Sequence, residues 1–525
     1  MSRSAAALDA RPVYVAPVRL GDLVDTVPGL DVATGDLGRD TVVTGLTLDS
    51  RTVRSGDLYA AVPGDLTHGA RFVARAVASG SAAVLTDAAG AALVAEQGAA
   101  AAVPLVVTDS PRSVLGALAA AVYGRPAERL RTIGVTGTQG KTTVTYLLES
   151  ALAACGRTPG LVGTTGSRAN GRPVASRLTT PEAPDLHALL AVMGEQGVDT
   201  VALEVSSHAL VQGRVDGVVV DVAVFLNLGR DHLDFHGDVD RYFAAKAVLF
   251  TSGRARRAVV DVGDAWGRRL AAETPLPTTT CTTREGVEAD WVAEDVRLST
   301  HGSDFAAYGP GGQRAEVRLP LPGSFNVRNA LAATVALVEA GLPLDAVAAG
   351  LRRAGGVPGR TEVVDEGQDF LAVVDYAHKP DAVEAVLEAL RPATGRRLLV
   401  VLGAGGDRDP GKRPLMGRVA ARWADLLVVT DDNPRGEGPA AIRAALLAGV
   451  DRTAPHAEVV ERGDRAAAIR YVVERADPGD VVIIAGKGHE TGQEVAGTVH
   501  PFDDRDVLRA ALRGRPHRGD PANTP

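Results

Sequence analysis

The sequence predicts an α/β protein of several domains, and three observations support this fold class. The chain has 525 residues, which exceeds the size that one hydrophobic core usually serves. Residues 131–156, RTIGVTGTQGKTTVTYLLESALAACG, read as a short apolar strand, a glycine-rich loop and a helix. From about residue 357 onward, strands and helices alternate regularly, which is typical of a parallel, doubly wound sheet.

We place the domain boundaries near residues 127 and 356. Residues 1–127 mix short strands with helices, among them SPRSVLGALAAAVYG, which has serine at its N-cap and proline at its first position. Residues 128–356 hold the strand, loop and helix described above and two further apolar strands, DTVALEV and DVAVFLNL. Residues 357–525 alternate strands such as FLAVVDYA with helices such as PDAVEAVLEAL. The predicted order is therefore a mixed α/β domain, a central domain around the glycine-rich loop and a Rossmann-like domain.

Composition narrows the class of protein. The hydrophobic content of 45% and the charged content of 23% are ordinary for a soluble globular chain. A net charge of -8 argues against broad binding to nucleic acid or to anionic membranes. Cys155 and Cys281 are far apart, so a disulfide framework or a zinc site is not expected. The chain shows no signal-peptide core and no run of ~18 uncharged apolar residues, so we expect a cytoplasmic protein.

The loop TGTQGKTT predicts a phosphate site. It lies between a strand and a helix, the context that such a loop requires. Backbone amides and the helix N-terminus attract an anion, Lys141 can reach the outer phosphates of a nucleotide, and Thr142 can hold magnesium. The strict eight-residue pattern has glycine at position 135, where this chain has Val135, but the shorter core of the pattern is intact.

Polar residues follow the next two strands. Glu204 ends the strand VALEV, which places a carboxylate at the active edge of the sheet, unless it is only a solvated charge. The segment NLGRDHLDFHGD then offers His232 and His236, four residues apart. A histidine pair often indicates zinc, but magnesium with phosphate is the better hypothesis here because a nucleotide loop precedes the pair.

Lysine usage singles out Lys246. Only five of the 56 lysines and arginines are lysines, namely Lys141, Lys246, Lys379, Lys412 and Lys487. Burial favours the neutral amine, which arginine cannot supply and which can take up carbon dioxide to give a carbamate, a hard magnesium ligand. The segment VDRYFAAKAVLF predicts a helix whose apolar stripe is Phe243, Ala244, Ala247 and Val248. A lysine that snorkels to water explains the pattern equally well, and taken alone it is the simpler explanation.

Four strands of the third segment end in polar clusters. These clusters are DYAHKP, GGDRDPGKRP, DDNPRGE and GKGHE. In doubly wound sheets ligands bind beyond the C-terminal ends of the strands. We therefore expect a ligand site along this edge.

Together these motifs resemble the Mur ligase family. The resemblance covers nearly the whole chain and is carried by LTLDSRTVRSGDLYAAVPG, GVTGTQGKTT, LTTPEAPDL, LEVSSHALVQGRV, FLNLGRDHLDFHGD, YFAAKAVLF, PGSFNVRNALAA, VVDYAHKPDA, GDRDPGKRPLM, DDNPR and GKGHE. It implies a nucleotide-sugar domain at residues 1–127, a P-loop ATPase domain at 128–356 and a Rossmann-like, amino-acid-binding domain at 357–525. The chain departs from the family at Gln139, where asparagine is usual.

The resemblance also implies roles for individual residues. Lys141, Glu204, His232 and Lys246 are the expected catalytic residues, and Thr142, Glu204, His232 and Lys246 match the family's magnesium environment, in which the lysine is carbamylated. The expected ATP contacts are Gly137, Thr138, Gln139, Gly140, Lys141, Thr142, Thr143, Asn326, Asn329, Arg360 and Asp375. Contacts to the uridine nucleotide and the muramoyl dipeptide are Leu48, Ser50, Asp65, Leu66, Thr67, Thr179, Thr180, Ser206, Gln212 and Arg214. Contacts to the incoming amino acid are Arg408, Asp432, Asn433, Pro434, Arg435, Gly486 and Glu490.

The implied reaction is an ATP-dependent amide ligation in peptidoglycan synthesis, and through it in cell shape and division. The type of Mur ligase that the chain resembles adds the third residue, meso-diaminopimelate, to UDP-N-acetylmuramoyl-L-alanyl-D-glutamate through an acyl phosphate. Arg435 suits a bidentate clamp on the distal carboxylate of meso-diaminopimelate, and Glu490 suits its distal ammonium. The resemblance implies a monomer that binds no nucleic acid and does not span a membrane.

Several alternatives remain open on the sequence. Ligation of L-lysine or of an amidated diaminopimelate, another Mur ligase and a folylpolyglutamate synthase would all share the P-loop, although EVSSHALVQGRV and DNPR argue against the last two. A carbamate-bridged binuclear metal hydrolase would use histidine and lysine but has no need of TGTQGKTT. A non-catalytic nucleotide-binding scaffold would not need the intact carboxylate and metal residues.

Overall fold

The structure is a computed structural model that describes residues 7–32, 38–64, 66–98, 103–176, 178–229, 231–299, 302–391, 396–450 and 457–515. The chain forms two compact units. The first comprises Met1–Thr282, Gly286–Trp291 and Ala332–Gly350, and the second comprises Thr283–Glu285, Val292–Leu331 and Leu351–Pro525. Across the described ranges, no helix combines the length and the apolar character that crossing a bilayer demands.

The first unit begins with a small sheet. Its elements are β1 (Val18–Arg19), α1 (Leu20–Thr26), β2 (Asp31–Val32), β3 (Val42–Val43), β4 (Gly45–Thr47), β5 (Asp57–Ala60), α2 (Val73–Ala78), β6 (Ala83–Thr86), α3 (Ala88–Glu96), β7 (Leu105–Val107) and α4 (Pro111–Val122). Strands β4, β5, β6 and β7 pair in parallel in that order, and β2 joins β7 in the antiparallel sense. Helix α4 starts at Pro111 as predicted, but the side chain of Ser110 makes no capping hydrogen bond.

A larger, mainly parallel sheet follows in the same unit. Its elements are β8 (Arg131–Thr136), α5 (Lys141–Ala154), β9 (Pro159–Gly163), β10 (Gly166–Ala169), β11 (Arg172–Val174), α6 (Ala183–Glu195), β12 (Thr200–Glu204), α7 (Ser207–Val211), β13 (Val220–Phe225), α8 (Leu233–His236), α9 (Val239–Ala247), β14 (Ala255–Asp261), α10 (Ala265–Glu273) and β15 (Thr278–Thr282). The strand order is β11-β10-β9-β12-β8-β13-β14-β15.

The register of this sheet positions the site. The six strands from β9 to β15 in this order are parallel. Glu204 pairs with Val135, and Phe225 pairs with Thr136. The C-terminal ends of β12, β8 and β13 therefore meet side by side, which brings the loops that follow them to one edge.

The remaining elements of the chain begin at Trp291 and include those of the third predicted segment, residues 357–525. Its elements are β16 (Trp291–Ser299), β17 (Gly302–Tyr308), β18 (Arg314–Leu319), α11 (Ser324–Glu339), α12 (Leu344–Leu351), β19 (Glu362–Val363), β20 (Leu371–Asp375), α13 (Pro380–Leu390), β21 (Leu398–Leu402), α14 (Lys412–Trp423), β22 (Leu426–Val429), α15 (Pro439–Leu447), β23 (Glu458–Glu461), α16 (Arg465–Arg475), β24 (Val481–Ala485), β25 (Gly492–Val495), β26 (Thr498–Pro501) and α17 (Asp504–Arg513). Strands β16, β17 and β18 form an antiparallel meander.

The sheet of the second unit is doubly wound, as the sequence predicts. Its order is β19-β20-β24-β21-β22-β23, and all its pairs except β19 with β20 are parallel. Separate hydrophobic clusters cover its two faces, one including Val400 and Met416 and the other including Val401 and Ile469. Both faces are therefore buried, which explains the uninterrupted apolar strands in the sequence.

A buried ion pair joins α16 and α17 to the end of β24. The guanidinium of Arg465 binds the carboxylate of Asp504, with 2.7 Å between Nε and Oδ1, and neither side chain has exposed surface. Nη2 of Arg465 also donates to the carbonyl of Ala485 at 3.0 Å. Because an unpaired charge at such depth is costly, α17 and the strand end are held together.

Candidate active site

The loop between β8 and α5 turns on two glycines. Gly137 has a φ of 150° and Gly140 a φ of 90°, values that glycine adopts readily and other residues do not. A Cβ at Gly137 would lie 3.0 Å from the Cβ of Leu226, so the backbone passes close to the end of β13. Val135, the departure from the strict loop pattern, is fully buried inside β8 and belongs to the sheet core.

Asn227 holds the loop through three hydrogen bonds to its backbone. Its Oδ1 accepts from the amide of Gln139 at 2.9 Å, and its Nδ2 donates to the Gln139 carbonyl at 3.1 Å. The amide of Thr138 donates to the Asn227 carbonyl at 3.0 Å. None of these bonds uses the Gln139 side chain, so this position tolerates the departure from asparagine. Asn227 was not predicted as a site residue, although it lies in the motif FLNLGRDHLDFHGD.

The side chain of Lys141 folds over the loop. Its Nζ donates to the carbonyl of Gly137 at 2.7 Å and to that of Thr138 at 3.2 Å. Lys141 begins α5, whose first amides also point to this end of the helix. The ammonium and the helix N-terminus together favour an anion above the loop.

Glu204 is buried, so the interpretation as a solvated strand-end charge is wrong. Its side chain has no exposed surface. Oε2 accepts from Oγ1 of Thr142 at 3.2 Å and from Oγ1 of Thr164 at 3.0 Å, and Oε1 accepts from the amide of Thr164 at 3.0 Å. The register of β8 and β12 thus brings Thr142 and Glu204 into contact, and both offer the hard oxygens that magnesium prefers. Thr164 was not predicted.

Lys246 is also buried, and the snorkelling interpretation is wrong. The residue is 1% exposed. Its Nζ donates to the Gly137 carbonyl at 3.0 Å and lies 4.6 Å from the ring centroid of Tyr242, within cation–π range. The predicted stripe on α9 was only partly right, since Phe243 is buried and Ala247 packs against the same hydrophobic cluster. Ala244 and Val248 are exposed, whereas the buried residues of the helix are Tyr242, Phe243, Ala245 and Lys246.

Tyr242 joins this helix to the loop. Its hydroxyl lies 3.2 Å from Oγ1 of Thr138, which also accepts from the amide of Gly229 at 2.9 Å. Burial raises the pKa of the Tyr242 phenol, so the group stays neutral. Lys246 and Tyr242 therefore contact the same loop from one face of α9.

The two histidines take different positions. His232 has a φ of 52° just before α8, and its partly exposed ring lies edge-on to His208, 4.6 Å between centroids. His236 is buried, with its Nε2 3.0 Å from Oγ of Ser207. In the part of the chain that the structure describes, no group of three or more His, Cys, Asp or Glu is placed to hold a metal ion, so the zinc interpretation of the pair gains no support.

Predicted dipeptide contacts surround the end of β12. Oγ1 of Thr179 is 3.1 Å from Oγ1 of Thr164. Oγ1 of Thr180 donates to the Glu204 carbonyl at 2.8 Å and accepts from the amide of Ser206 at 3.2 Å. Thr179 is therefore linked to the Glu204 carboxylate through Thr164, whereas Thr180 contacts the Glu204 backbone.

The other predicted contacts of the first unit have no direct hydrogen bond to Glu204 among the described residues. Nη1 of Arg214 donates to the Thr180 carbonyl at 3.3 Å, and Oε1 of Gln212 is buried without a hydrogen-bond partner among the described residues. Ser50 is buried and Leu48 is half-buried, whereas Leu66 and Thr67 are exposed. Asp65 lies outside the described residues.

The second unit holds the remaining predicted nucleotide contacts. Nδ2 of Asn326 donates to the Pro322 carbonyl at 2.8 Å, and Nδ2 of Asn329 donates to Oδ1 of Asn326 at 3.4 Å. At the end of β20, Asp375 accepts from the amide of Thr361 at 2.6 Å. Burial raises the pKa of Asp375, and the charge of Arg360 opposes that rise.

His378 follows Asp375 in a cationic setting. Its Nδ1 donates to the Tyr376 carbonyl at 2.8 Å. Burial, followed by the charges of Lys379, Lys412 and Arg360, lowers the pKa of His378 from 6.5 to about 3. The ring is therefore neutral in the folded protein throughout the physiological range.

The depressed pKa predicts acid sensitivity. Between about pH 6.5 and pH 3 the unfolded chain binds a proton at His378 and the folded chain does not, so the free energy of unfolding falls as pH falls, by about 1.4 kcal/mol per pH unit. We expect His378→Gln to reduce the stability loss between pH 7 and pH 5 by about 2 kcal/mol, measured by urea unfolding. His500→Gln, at an exposed position on β26, is the control. Equal losses in wild type and His378→Gln would contradict the prediction.

The predicted amino-acid contacts follow three strands of the second unit, β21, β22 and β24. Nδ2 of Asn433, after β22, donates to Oε2 of Glu490, after β24, at 2.8 Å. A Cβ at Gly486 would lie 2.6 Å from Oδ2 of Asp432, so only glycine allows this approach. Arg408 is exposed.

Arg435 is positioned beside β25. Its Nη1 donates to the Gly406 carbonyl at 2.8 Å, and its Nε lies 3.4 Å from Oε2 of Glu494. The Arg435 amide donates to the Glu494 carbonyl at 3.0 Å, which fixes the backbone after Pro434. The guanidinium keeps donors for a further anion because these contacts use only part of its five N–H groups.

Sequence reasoning missed one residue of this cluster. Lys487 is fully buried, and its Nζ donates to Oδ1 of Asn433 at 2.9 Å and to Oε2 of Glu490 at 3.1 Å. The signal was available, because Lys487 is one of only five lysines and lies in the motif GKGHE.

Comparisons with known proteins cover almost the whole chain. Three family models match it in order: the Mur ligase family catalytic domain at residues 42–123, the Mur ligase middle domain at 135–337 and the Mur ligase glutamate ligase domain at 359–488. The chain thus has three consecutive domains of this kind in an α/β fold, as predicted. The boundaries at 127/128 and 356/357 stay predictions.

Individual relatives are similar over their full length. The UDP-N-acetylmuramoyl-L-alanyl-D-glutamate--2,6-diaminopimelate ligase of Streptomyces coelicolor is 52% identical over 505 residues, which is 96% of this chain and 98% of that protein. The protein of the same name from Corynebacterium glutamicum is 50% identical over 482 residues, 90% of this chain and 92% of that one. A solved structure with this name is 34% identical, has a TM-score of 0.66 and covers 95% of this chain and 99% of its own.

Proposed function

The chain belongs to the Mur ligase family, and from this premise we propose that it joins meso-diaminopimelate to the D-glutamyl carboxylate of UDP-N-acetylmuramoyl-L-alanyl-D-glutamate at the expense of ATP. The observation that carries the proposal is the 52% identity, over 96% of the chain, to a ligase named for 2,6-diaminopimelate. The hydrogen-bonded cluster of Asn433, Lys487 and Glu490 beside Arg435 supports it. The product is a precursor for peptidoglycan.

The loop after β8 is the proposed site for the phosphates of ATP. Its amides, the N-terminus of α5 and the ammonium of Lys141 converge there, and such groups stabilise the charge of a transferring phosphoryl group. The D-glutamyl carboxylate attacks the γ-phosphorus and ADP leaves. The neutral amine of the amino acid then attacks the acyl phosphate, loses a proton and displaces phosphate. No side chain needs to act as a covalent nucleophile.

Magnesium fits the residues near this loop. Oγ1 of Thr142 and the carboxylate of Glu204 are already in contact at 3.2 Å, and together they form an oxygen donor set. His232 and a carbamylated Lys246 would complete the proposed set. When bound, the metal would neutralise charge on the phosphates of ATP. The burial of Lys246 supports the carbamate because burial favours the neutral amine that takes up carbon dioxide.

Tyr242 contributes to this site in a smaller way. We expect Tyr242→Phe to raise KM for ATP about fivefold and to lower the free energy of unfolding by about 1 kcal/mol, because it removes the contact with Oγ1 of Thr138. Steady-state kinetics and urea unfolding would measure both. Tyr14→Phe, which alters an exposed residue, is the control. Unchanged values in Tyr242→Phe would show that the hydroxyl does not hold the loop.

The proposed function is tested by phosphate release with ATP and the purified precursor. We expect kcat/KM for meso-diaminopimelate to exceed that for L-lysine by about 100-fold or more, as one clamped carboxylate implies. A preference for L-lysine or for an amidated diaminopimelate would reassign the amine substrate. No ATP-dependent ligation with any of these amines would overturn the proposal. Cytoplasmic location and a monomeric state also remain proposals, which fractionation and light scattering can test.

A further inference from the structure

Lys487 is a buried cation that the reaction scheme does not use. It lies in the loop after β24 and has no exposed surface. Its Nζ is 2.9 Å from Oδ1 of Asn433, 3.1 Å from Oε2 of Glu490 and 3.8 Å from Oδ1 of Asp432. An ammonium at such depth is tolerated only when charge and hydrogen bonds compensate it.

The contacts of Lys487 fix the orientation of two side chains, Asn433 and Glu490, that are predicted to bind the substrate. Oδ1 of Asn433 accepts from Lys487 and also from the amide of Glu494 at 3.0 Å, while its Nδ2 donates to Oε2 of Glu490 at 2.8 Å. The side-chain amide group of Asn433 therefore cannot be flipped without loss of all three hydrogen bonds. Oε2 of Glu490 receives two donors, from Lys487 and from Asn433.

The other oxygen of Glu490 is left for a ligand. Within the ranges that the structure describes, no hydrogen bond to Oε1 is found, and the Glu490 side chain is 32% exposed whereas that of Lys487 is 0% exposed. Glu490 thus has one oxygen bound in the interior and one at the surface of the cluster. A carboxylate held in this way has a fixed direction for accepting a further donor.

The local charge also favours a cationic ligand. Two carboxylates, Asp432 and Glu490, lie within 4.0 Å of the single ammonium of Lys487, so the charges in direct contact at this ammonium leave one carboxylate in excess. Arg465 lies nearby, but Asp504 neutralises it through two hydrogen bonds of 2.7 Å. The excess charge is suited to one ammonium group.

We infer that Lys487 is a positioning residue for the incoming amino acid, which holds Asn433 and Oε2 of Glu490 so that Oε1 receives the distal ammonium of the substrate. The inference rests on the proposed function and adds a residue to it. Lys487 itself does not contact the substrate. Its removal should therefore weaken recognition of the amino acid and leave the earlier, phosphoryl-transfer half of the reaction intact.

The kinetic test uses Lys487→Met, which keeps the length of the side chain and removes its charge. We expect KM for meso-diaminopimelate to rise about 30-fold, and KM for ATP and for the precursor to stay within about threefold of wild type. Acyl phosphate formation without the amino acid, trapped with hydroxylamine, should also stay within about threefold. Arg470→Met, at an exposed position on α16, is the matched control.

A double-mutant cycle separates positioning from general support of the fold. If Lys487 acts through Glu490, the effects of Lys487→Met and Glu490→Gln on KM for meso-diaminopimelate should not multiply in the double variant. Equal changes in all three KM values, no change in KM for the amino acid, or fully multiplying effects would each overturn the inference. A wild-type enzyme that does not ligate meso-diaminopimelate would instead overturn the proposed function.

A second measurement is made on the wild-type protein and needs a variant only to assign the signal. With only five lysines in the chain, the ammonium groups of protein labelled with ¹⁵N-lysine give few NMR signals, and a buried, hydrogen-bonded ammonium exchanges slowly enough to be seen. We expect the Lys487 signal to shift when meso-diaminopimelate joins protein saturated with precursor and β,γ-imido-ATP. Lys487→Arg, observed in the same way, assigns the signal by its loss. An unmoved Lys487 signal would overturn the inference.

Discussion

Replacement of Lys246 by arginine is expected to lower kcat by about 1,000-fold, although arginine has the same charge as an unmodified lysine. Lys246 is 1% exposed and its Nζ lies 3.0 Å from the Gly137 carbonyl, so it is held against the phosphate loop. A guanidinium cannot form a carbamate and cannot supply the two oxygens that we propose for magnesium. The measurement is phosphate release at saturating substrates.

Two controls separate chemistry from packing. Arginine is larger than lysine at a buried position, so thermal unfolding of Lys246→Arg must be compared with wild type, and the loss of activity must exceed any loss of folded protein. Arg241→Lys makes the reverse exchange at an exposed position of the same helix and should be neutral. Wild-type protein incubated with ¹³C-bicarbonate should show the NMR signal of a carbamate carbon. This signal should be absent in Lys246→Arg. Near-normal turnover of that variant would defeat the carbamate proposal.

Removal of Arg435 is expected to act on a different substrate. We expect Arg435→Ala to raise KM for meso-diaminopimelate by about 100-fold, or about 3 kcal/mol, because a bidentate charge-assisted contact is lost. KM for ATP should stay within about threefold, since Arg435 is not among the predicted ATP contacts.

The substrate itself provides a further comparison for Arg435. L-lysine has no distal carboxylate for Arg435 to bind. We therefore expect Arg435→Ala to lower kcat/KM for L-lysine far less than kcat/KM for meso-diaminopimelate. Arg470→Ala, on the exposed side of α16, controls for the loss of a cation. Similar losses for ATP and for diaminopimelate would contradict the clamp.

Strand ends were the most predictable part of the site. Glu204 ends strand β12 and Lys141 follows the loop after β8, and parallel strands carry such positions to one edge whatever their sequence separation. The same argument identified the edge of the second sheet that holds Asp375, Asn433 and Glu490. The strand pattern located the edges, whereas the roles of the individual residues came from the phosphate-loop motif and from the family resemblance.

The depth and partners of individual side chains were not predictable in this way. The stripe on α9 was right for Phe243 and Ala247 and wrong for Ala244 and Val248, because the alanines define no clear apolar face. The buried face also includes Lys246, which donates to the carbonyl of Gly137, 109 residues away. Thr164 and Asn227 join the site through tertiary contacts with Glu204 and Gln139. Such contacts depend on how loops meet, which a local pattern does not contain.

The pair of Arg465 and Asp504 has a consequence for synthesis on the ribosome. Arg465 binds the carbonyl of Ala485, next to the loop that carries Lys487 and Glu490, and Asp504 follows all of these residues in the chain. Until Asp504 has emerged, Arg465 would lie unpaired in an apolar interior. The site for the incoming amino acid is therefore completed late in translation. A nascent chain that stops before α17 would lack this site even when its phosphate loop has already formed.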